Sequence, residues 1–336
     1  MLTDFLDHVK SFALARVLMT AIELDLFQEL EGTPLSRADL KRCLGLADTP
    51  IADAFFDILI AFDILAESNG ELVLLPLGES IFPVYESIQS WNREMQLFYN
   101  SLVDLTALLR TGHYWDSELA HFWAYKQPAD RLAMPASLAK EYSNVMDASQ
   151  VQLSQLIIEH YDFSRHQHVF DFGGGKGRLA IALARKYPEL KATVVDLPVV
   201  CDGARAQIDA EGLGARVEFW PLDFFNDDLP TAVADAILFV RVLHDWSDEE
   251  ASSLIQRTRP CLRDSGAIIV IEPMLSDKSG KPDPGSSLSA LMLTLFGGRR
   301  RSVLQYMQLL RSAGYSRLSW SELGLSLHKV VVGHSS

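Results

Sequence analysis

Apolar positions recur at two different spacings along this 336-residue chain. Near the start the spacing is helical: Leu2, Phe5, Leu6, Val9, Ala13 and Val17 fall on one helix face. TPLSRADLKRCLG predicts a short helix with Ser36 as its cap and Gly45 as its stop. TPIADAFFDILIAFDIL predicts a second helix. AESNGELVLLPLG predicts a hairpin turning at Asn69-Gly70, a dipeptide suited to the positive φ values of a two-residue turn. Helix, helix, hairpin is the outline of a winged helix. Residues 86–160 again read as helices, rich in aromatics from Trp91 to Tyr142, and aromatic walls suit small organic ligands. From residue 165 the pattern changes to short apolar runs (HVFDF, KATVVDL, RVEFW, DAILFV, GAIIVIE) separated by helix-like stretches. That alternation predicts an α/β fold, a Rossmann-like doubly wound and mostly parallel sheet. SRLSWSELGLSLHKVVVG reads as two last strands forming an antiparallel edge. The expected organisation is an N-terminal mainly α winged-helix domain over 1–95, connecting helices over 96–160 and the sheet domain over 161–336.

Charge changes what the winged helix can be. The net charge of −14 and pI near 5.1 give a surface that repels phosphate backbones. A recognition helix needs Lys, Arg, Asn or Gln; the second helix offers Asp53, Asp57 and Asp63 and no basic residue. The expectation is a packing and dimerisation module, with no nucleic acid. The three cysteines form no CxxC pair, so neither a disulfide framework nor a zinc ribbon is indicated. The start MLTDFLDHVK lacks the order of a signal peptide, and no apolar run reaches the ~18 residues of a membrane span. The expected setting is the reduced cytoplasm, with no membrane partner.

The chemistry concentrates where strands end. VFDFGGGKG leaves the first strand of the sheet domain. A dinucleotide fingerprint beginning at Gly173 would need glycine at 178, where Arg178 sits; a phosphate loop would need Ser or Thr after Lys176, where Gly177 sits. What is left is Asp171 followed by Gly173, Gly174 and Gly175, then Gly177. Asp196 ends the next run, placed to accept hydrogen bonds from two ribose hydroxyls. Asp223 follows the third, where a carboxylate can take an adenine amino proton and Phe224 can stack. Each acid taken singly reads equally well as a solvated loop residue or a helix cap. Together, at successive strand exits, they mark the ligand edge of an open α/β sheet.

With these residues the chain resembles the class I S-adenosylmethionine-dependent methyltransferases, specifically the caffeate and hydroxyindole O-methyltransferase type. The resemblance runs from the winged-helix outline through DFGGGKG, VVDLP, LDFF, LHDWSDEE, IEP and GGRRRS, with LHDWSDEE the most specific. It implies S-adenosylmethionine as cofactor, with Leu197 and Arg241 joining the residues above in holding it. It also implies a homodimer formed through the N-terminal domain, no metal, His244 as general base and Glu272 as the acid that orients it. The bottom-up chemistry agrees: a phenol of pKa near ~10 is protonated at neutral pH, and an imidazole near ~6.5 can take its proton. Ser247 and Glu250 form a capping box, so SDEE reads as a helix start. Asp245 either fixes the turn or touches the cofactor, and Trp246 reads as packing. Pocket candidates are Phe122, Trp123, Tyr142, Met146, Met292, Phe296 and Arg300. The pattern breaks at Arg300, where the family usually carries a second glutamate; a solvated arginine is the expectation, with contact to an acidic acceptor as the alternative. The expected function is O-methylation of a small hydroxylated aromatic metabolite. Transfer to carbon or nitrogen, or cofactor binding without methylation, are the alternatives.

Overall fold

The computed structural model describes residues 2–112, 118–126, 131–275, 284–295, 297–324 and 327–335. It forms two compact units, Met1–Gln96 and Leu97–Ser336.

The first unit opens with helix Leu2–Glu23, whose first residues are described in backbone only. Strand β1 (Leu35–Ser36) leads into helix Arg37–Cys43, where Ser36 Oγ accepts from Asp39 N at 3.1 Å as a side-chain cap. Helix Pro50–Ala61 follows, ending earlier than the apolar run because Leu65 onward joins the sheet. Strands β2 (Leu65–Ser68) and β3 (Glu71–Leu74) form the hairpin, with Asn69 at φ 54° and Gly70 at φ 81° in its turn. The order is β1-β3-β2. The acids of the second helix are held by the first: Arg37 meets Asp57 at 2.7 Å and Lys41 meets Asp53 at 2.8 Å.

In the second unit, strands β4 (His168–Phe172), β5 (Lys191–Asp196), β6 (Val217–Pro221), β7 (Ala234–Val240), β8 (Leu262–Pro273), β9 (Ser316–Glu322) and β10 (His328–His334) make one sheet. Its order is β6-β5-β4-β7-β8-β10-β9. The first five pair with one another in parallel, and β10 is antiparallel to both β8 and β9, the edge read from the sequence. Successive residues alternate between the two faces. Val169, Leu238 and Ile269 join one core, under helices Ala136–His160, Arg178–Lys186 and Pro198–Ala210. Phe170, Phe239 and Val270 join the other, under helices Asp248–Thr258 and Val303–Ser312. Both faces are covered, which is why these strands read as continuous apolar runs rather than alternating ones. The order reverses at β4, between β5 and β7, so their carboxyl ends open a crevice there. No described helix is long and apolar enough to cross a membrane.

Phe239 has no exposed surface and stacks on Phe172 with ring centroids 5.6 Å apart. Phe239→Ala is expected to cost ~3–5 kcal/mol through the cavity it leaves, read as a lower urea midpoint by near-ultraviolet circular dichroism.

Candidate active site

The crevice at the ends of β4, β5 and β7 is a cleft of about 1020 Å³, including the space at its mouth. Its floor is the glycine loop. Gly173 has φ +72°, and a Cβ there would lie 2.7 Å from Val242 Cγ2; at Gly174 a Cβ would lie 2.5 Å from Asp171 Oδ2. Gly175, at φ +57°, faces open space, so backbone rather than side chain meets a ligand there. Its N–H donates to Asp196 Oδ2 at 2.8 Å, while Leu197 N donates to Oδ1 at 2.7 Å. These bonds only partly offset burial, which pushes Asp196 up to about 6. Burial, and then the nearby charge of Asp196, push Asp171 up to about 7. The cleft therefore holds two carboxyls whose ionisation its own donors do not fully support.

Behind the cleft lies a second cluster, built where β7 and β8 end. Glu272 has no exposed surface. Its Oε1 accepts from Val242 N at 2.9 Å and Leu243 N at 2.8 Å, in the turn that follows β7. Its Oε2 lies 2.5 Å from His244 Nδ1, an ion pair rather than a well-angled hydrogen bond. His244 Nε2 lies 3.2 Å from Asp245 Oδ1. Burial alone would lower the imidazole pKa, but Glu272 and then Asp245 outweigh it and raise it to about 9. Asp245 shows the converse: burial opposes its charge, yet His244 and Lys126 hold it below the usual carboxylate range. Tyr125 Oη donates to Asp245 Oδ2 at 2.6 Å, and Tyr142 Oη to Tyr125 Oη at 3.3 Å. A hydrogen-bonded and ion-paired chain thus runs from the cleft wall, at Tyr142, Tyr125 and Asp245, inward to Glu272.

The structure gathers Asp171, Gly173, Gly174, Gly175, Asp196, Leu197, Asp223, Phe224 and Arg241 into one wall system, together with Tyr142 and Met146. Arg241 takes φ 57°, rare for a residue with a side chain, and donates to Ser149 Oγ and Met146 O. His244 and Glu272 are brought together, but one layer behind that wall. Phe122 and Trp123 are buried against Tyr142, which lines the cleft, and are not themselves part of its lining. Met292 is half-buried and also off the cleft, while Phe296 lies outside the described residues. Arg300 is not solvated as expected. It is 7% exposed, its guanidinium donates to Ser289 Oγ, and burial lowers its pKa. Its neighbours explain the inward path of this basic run: Arg301 donates to Leu243 O and Trp246 O at 2.8 Å each, and Arg299 N to His244 O at 2.6 Å. Sequence reasoning missed Arg131, Met134 and Gln150, which line the cleft, and gave Trp246 a packing role although it lines it too. No periodicity marks the first three; only the fold brings them here. Among the described residues no group of His, Cys, Asp or Glu is placed to hold a metal ion.

Residues 130–316, more than half of the chain, match the O-methyltransferase domain family. The chain belongs to that family. Its sheet, glycine loop and cleft all lie in or beside the matched segment. The mouse acetylserotonin O-methyltransferase is 35% identical over 198 residues, covering 58% of this chain and 49% of that protein. The chain thus spans about half the length of that relative. The demethylspheroidene O-methyltransferase of Cereibacter sphaeroides is 28% identical over 315 residues, covering 94% of this chain and 82% of that protein. The crystal structure of human N-acetylserotonin methyltransferase in complex with SAM superposes with a TM-score of 0.83 at 24% identity, covering 99% of this chain and 96% of that one. At that identity the likeness speaks for the fold.

In this O-methyltransferase-family domain, His244 is expected to titrate near 9 in an imidazole NMR titration. Glu272→Gln should lower that value by ~1–3 pH units, the effect of losing an adjacent opposite charge. Because the folded-state value lies above the ordinary 6.5, the histidine's contribution to stability is full below pH 6.5 and is lost as pH rises through about 9. The stability gap between wild type and Glu272→Gln should therefore narrow from pH 6 to pH 9.5 in urea titrations. A gap independent of pH would show that the pair is not coupled.

Proposed function

We propose that the protein transfers the methyl group of S-adenosylmethionine to the hydroxyl of a small, aromatic acceptor. The observation that carries this reading is the pair of under-satisfied carboxyls, Asp171 and Asp196, in a glycine-floored cleft, backed by the His244–Glu272 pair. When bound, the cofactor supplies a positively charged sulfur and a transferable methyl. The residues fit such a group. The backbone of Gly173, Gly174 and Gly175 would lie along it, Asp196 would accept from ribose hydroxyls, Leu197 and Phe224 offer apolar surfaces to a base, and Asp171 faces its charge.

Family membership and the printed activities of the two sequence relatives support the transfer, and the acceptor class rests on Tyr125, Tyr142 and Trp246, aromatic side chains of the cleft wall. His244 would take the hydroxyl proton at Nε2, with Glu272 holding Nδ1 and stabilising the imidazolium that forms. In the resting state Nε2 faces Asp245, so the base becomes available when it is deprotonated and turned from that carboxylate. Asp245 and Tyr125, on the wall, would orient the acceptor, and much of the acceleration would come from holding it in line with the methyl. The buried, raised-pKa histidine also favours a second reading, transfer to a nucleophile that needs no base.

The homodimer belongs to the same proposal. Phe12, Ile51 and Phe62 are exposed apolar residues of the first unit, and sedimentation should give about twice the 37.5 kDa chain mass. A reduced, cytoplasmic setting is consistent with three free cysteines.

His244→Gln is expected to lower methyl transfer to a phenol ~10²–10⁴-fold, the size of a lost general base. Wild-type kcat/KM should rise with pH and level off above about 9. Undiminished turnover in His244→Gln would sink the base and leave the second reading. Cofactor binding near pH 6.5 should release protons as Asp171 and Asp196 ionise beside a cation. Calorimetry in buffers of different ionisation enthalpy would detect this, and the product S-adenosylhomocysteine, which lacks the sulfonium charge, should release fewer.

A further inference from the structure

Two groups compete for the side chain of Asp245. Its Oδ1 lies 3.2 Å from His244 Nε2, the nitrogen that has to meet an acceptor hydroxyl. Its Oδ2 accepts from Tyr125 Oη at 2.6 Å, the shorter contact although the histidine is the chain neighbour. Tyr142 Oη donates to Tyr125 Oη at 3.3 Å, so the proton of Tyr125 is left for the aspartate. Burial, and then the charge of Asp245, push that phenol well above its ordinary 10. Tyr125 therefore stays a donor across the whole range in which an imidazole titrates. The next residue works on the same target: Lys126 Nζ donates to the Asp245 carbonyl and lies 5.5 Å from the centre of the Trp246 ring. Both belong to the short helical turn Ala124–Lys126, which Arg131 Nε fixes through Tyr125 O at 2.9 Å. A donor that stabilises a carboxylate makes it a weaker base, and so a weaker partner for an adjacent imidazolium.

We propose that Tyr125 is a positioning residue for the base. By holding Asp245 on the cleft wall it loosens that carboxylate's grip on His244 Nε2, and an acceptor hydroxyl takes the aspartate's place there. This inference rests on the methyl-transfer reading, which supplies the acceptor, while the clamp itself is measured without turnover. The other groups around His244 act elsewhere or keep one charge state. Glu272, on β8, holds the opposite nitrogen, Nδ1. Burial, with Arg241, His244 and Arg300 nearby, pushes His328 at the head of β10 down to about 3, so it stays neutral. Before and within the last helix, Arg300 and Arg301 stay charged and Tyr306, raised well above 10 by burial, stays protonated. Burial lowers Lys126, whose own titration is isolated by substituting it.

The test follows the His244 imidazole by NMR titration, and kcat/KM for a phenol against pH, in wild type, Tyr125→Phe and Lys126→Met. Tyr125→Phe keeps the ring that packs against Tyr142 and Trp246, with centroids 5.3 and 6.0 Å away. It should raise the His244 value by ~0.5–1 pH unit, a fraction of what an adjacent full charge does. The rising limb of kcat/KM should move up with it, leaving the rate ~3–10-fold lower at pH 7.5. Lys126→Met removes a cation facing Asp245 and should move both readouts the same way, which keeps the test decisive if Tyr125→Phe does not fold. In an Asp245→Asn background, Tyr125→Phe should leave the His244 titration unmoved, because the route runs through that carboxylate. A His244 value unchanged or lowered in Tyr125→Phe overturns the proposal. So does an equal rise in the Asp245→Asn background, which marks a packing effect, or a raised titration with an unmoved kcat/KM limb. If the NMR shift appears but wild type methylates no phenol, the clamp stands and the methyl-transfer reading falls instead.

Discussion

A carboxylate with no exposed surface needs every one of its charges and lone pairs met from within, and Glu272 imposes that requirement on the whole site. Two backbone N–H groups and one imidazole meet it, all from the three consecutive residues Val242, Leu243 and His244. Satisfying Glu272 therefore fixes the turn after β7. Once that turn is fixed, the directions of Asp245 and Trp246 follow. Arg301 and Arg299 hold the same turn from the other side through Leu243 O, Trp246 O and His244 O. Removing one partner of such a buried pair leaves the other charge uncompensated, which costs more than the pair itself contributes.

The cleft in front follows a different electrostatic logic. Asp171 is buried and Asp196 half-buried near it, with few donors, so ionising both is disfavoured until a positive charge arrives. A site of this kind favours a cationic ligand before any single contact is considered. The glycine loop complements it sterically, because a Cβ at Gly173 or Gly174 would overlap Val242 or Asp171. Backbone and unpaired carboxylate together define what can lie on the floor.

At the cleft's other end the balance is reversed, since Arg131 cancels Asp223 and stacks on Phe225 and Trp246. One wall is thus left short of positive charge and another is internally paired. A ligand carrying charge at one end and a flat heterocycle at the other meets both conditions.

Much of this was legible in the sequence. The two periods of apolar residues separated the helical N-terminal part from the sheet, and the unbroken apolar runs told of strands covered on both faces. The glycine loop and the acids at strand exits were readable because both obey local rules: positive φ needs glycine, and ligands gather at strand carboxyl ends. Local rules do not say which way a side chain faces. His244 and Asp245 are neighbours, yet the histidine turns inward and the aspartate meets the cleft. Arg300 and Arg301 read as a solvated basic run but are buried, because carbonyls and carboxylates 50 or more residues away receive Arg301. Arg131 and Asp223 are 92 residues apart, and nothing around either marks the other. Sequence alone determined the period, the loop and the edge where chemistry occurs. Which charges are paired, and so which remain for a ligand, was decided by tertiary structure, because desolvation and partner distance exist only once the chain has folded.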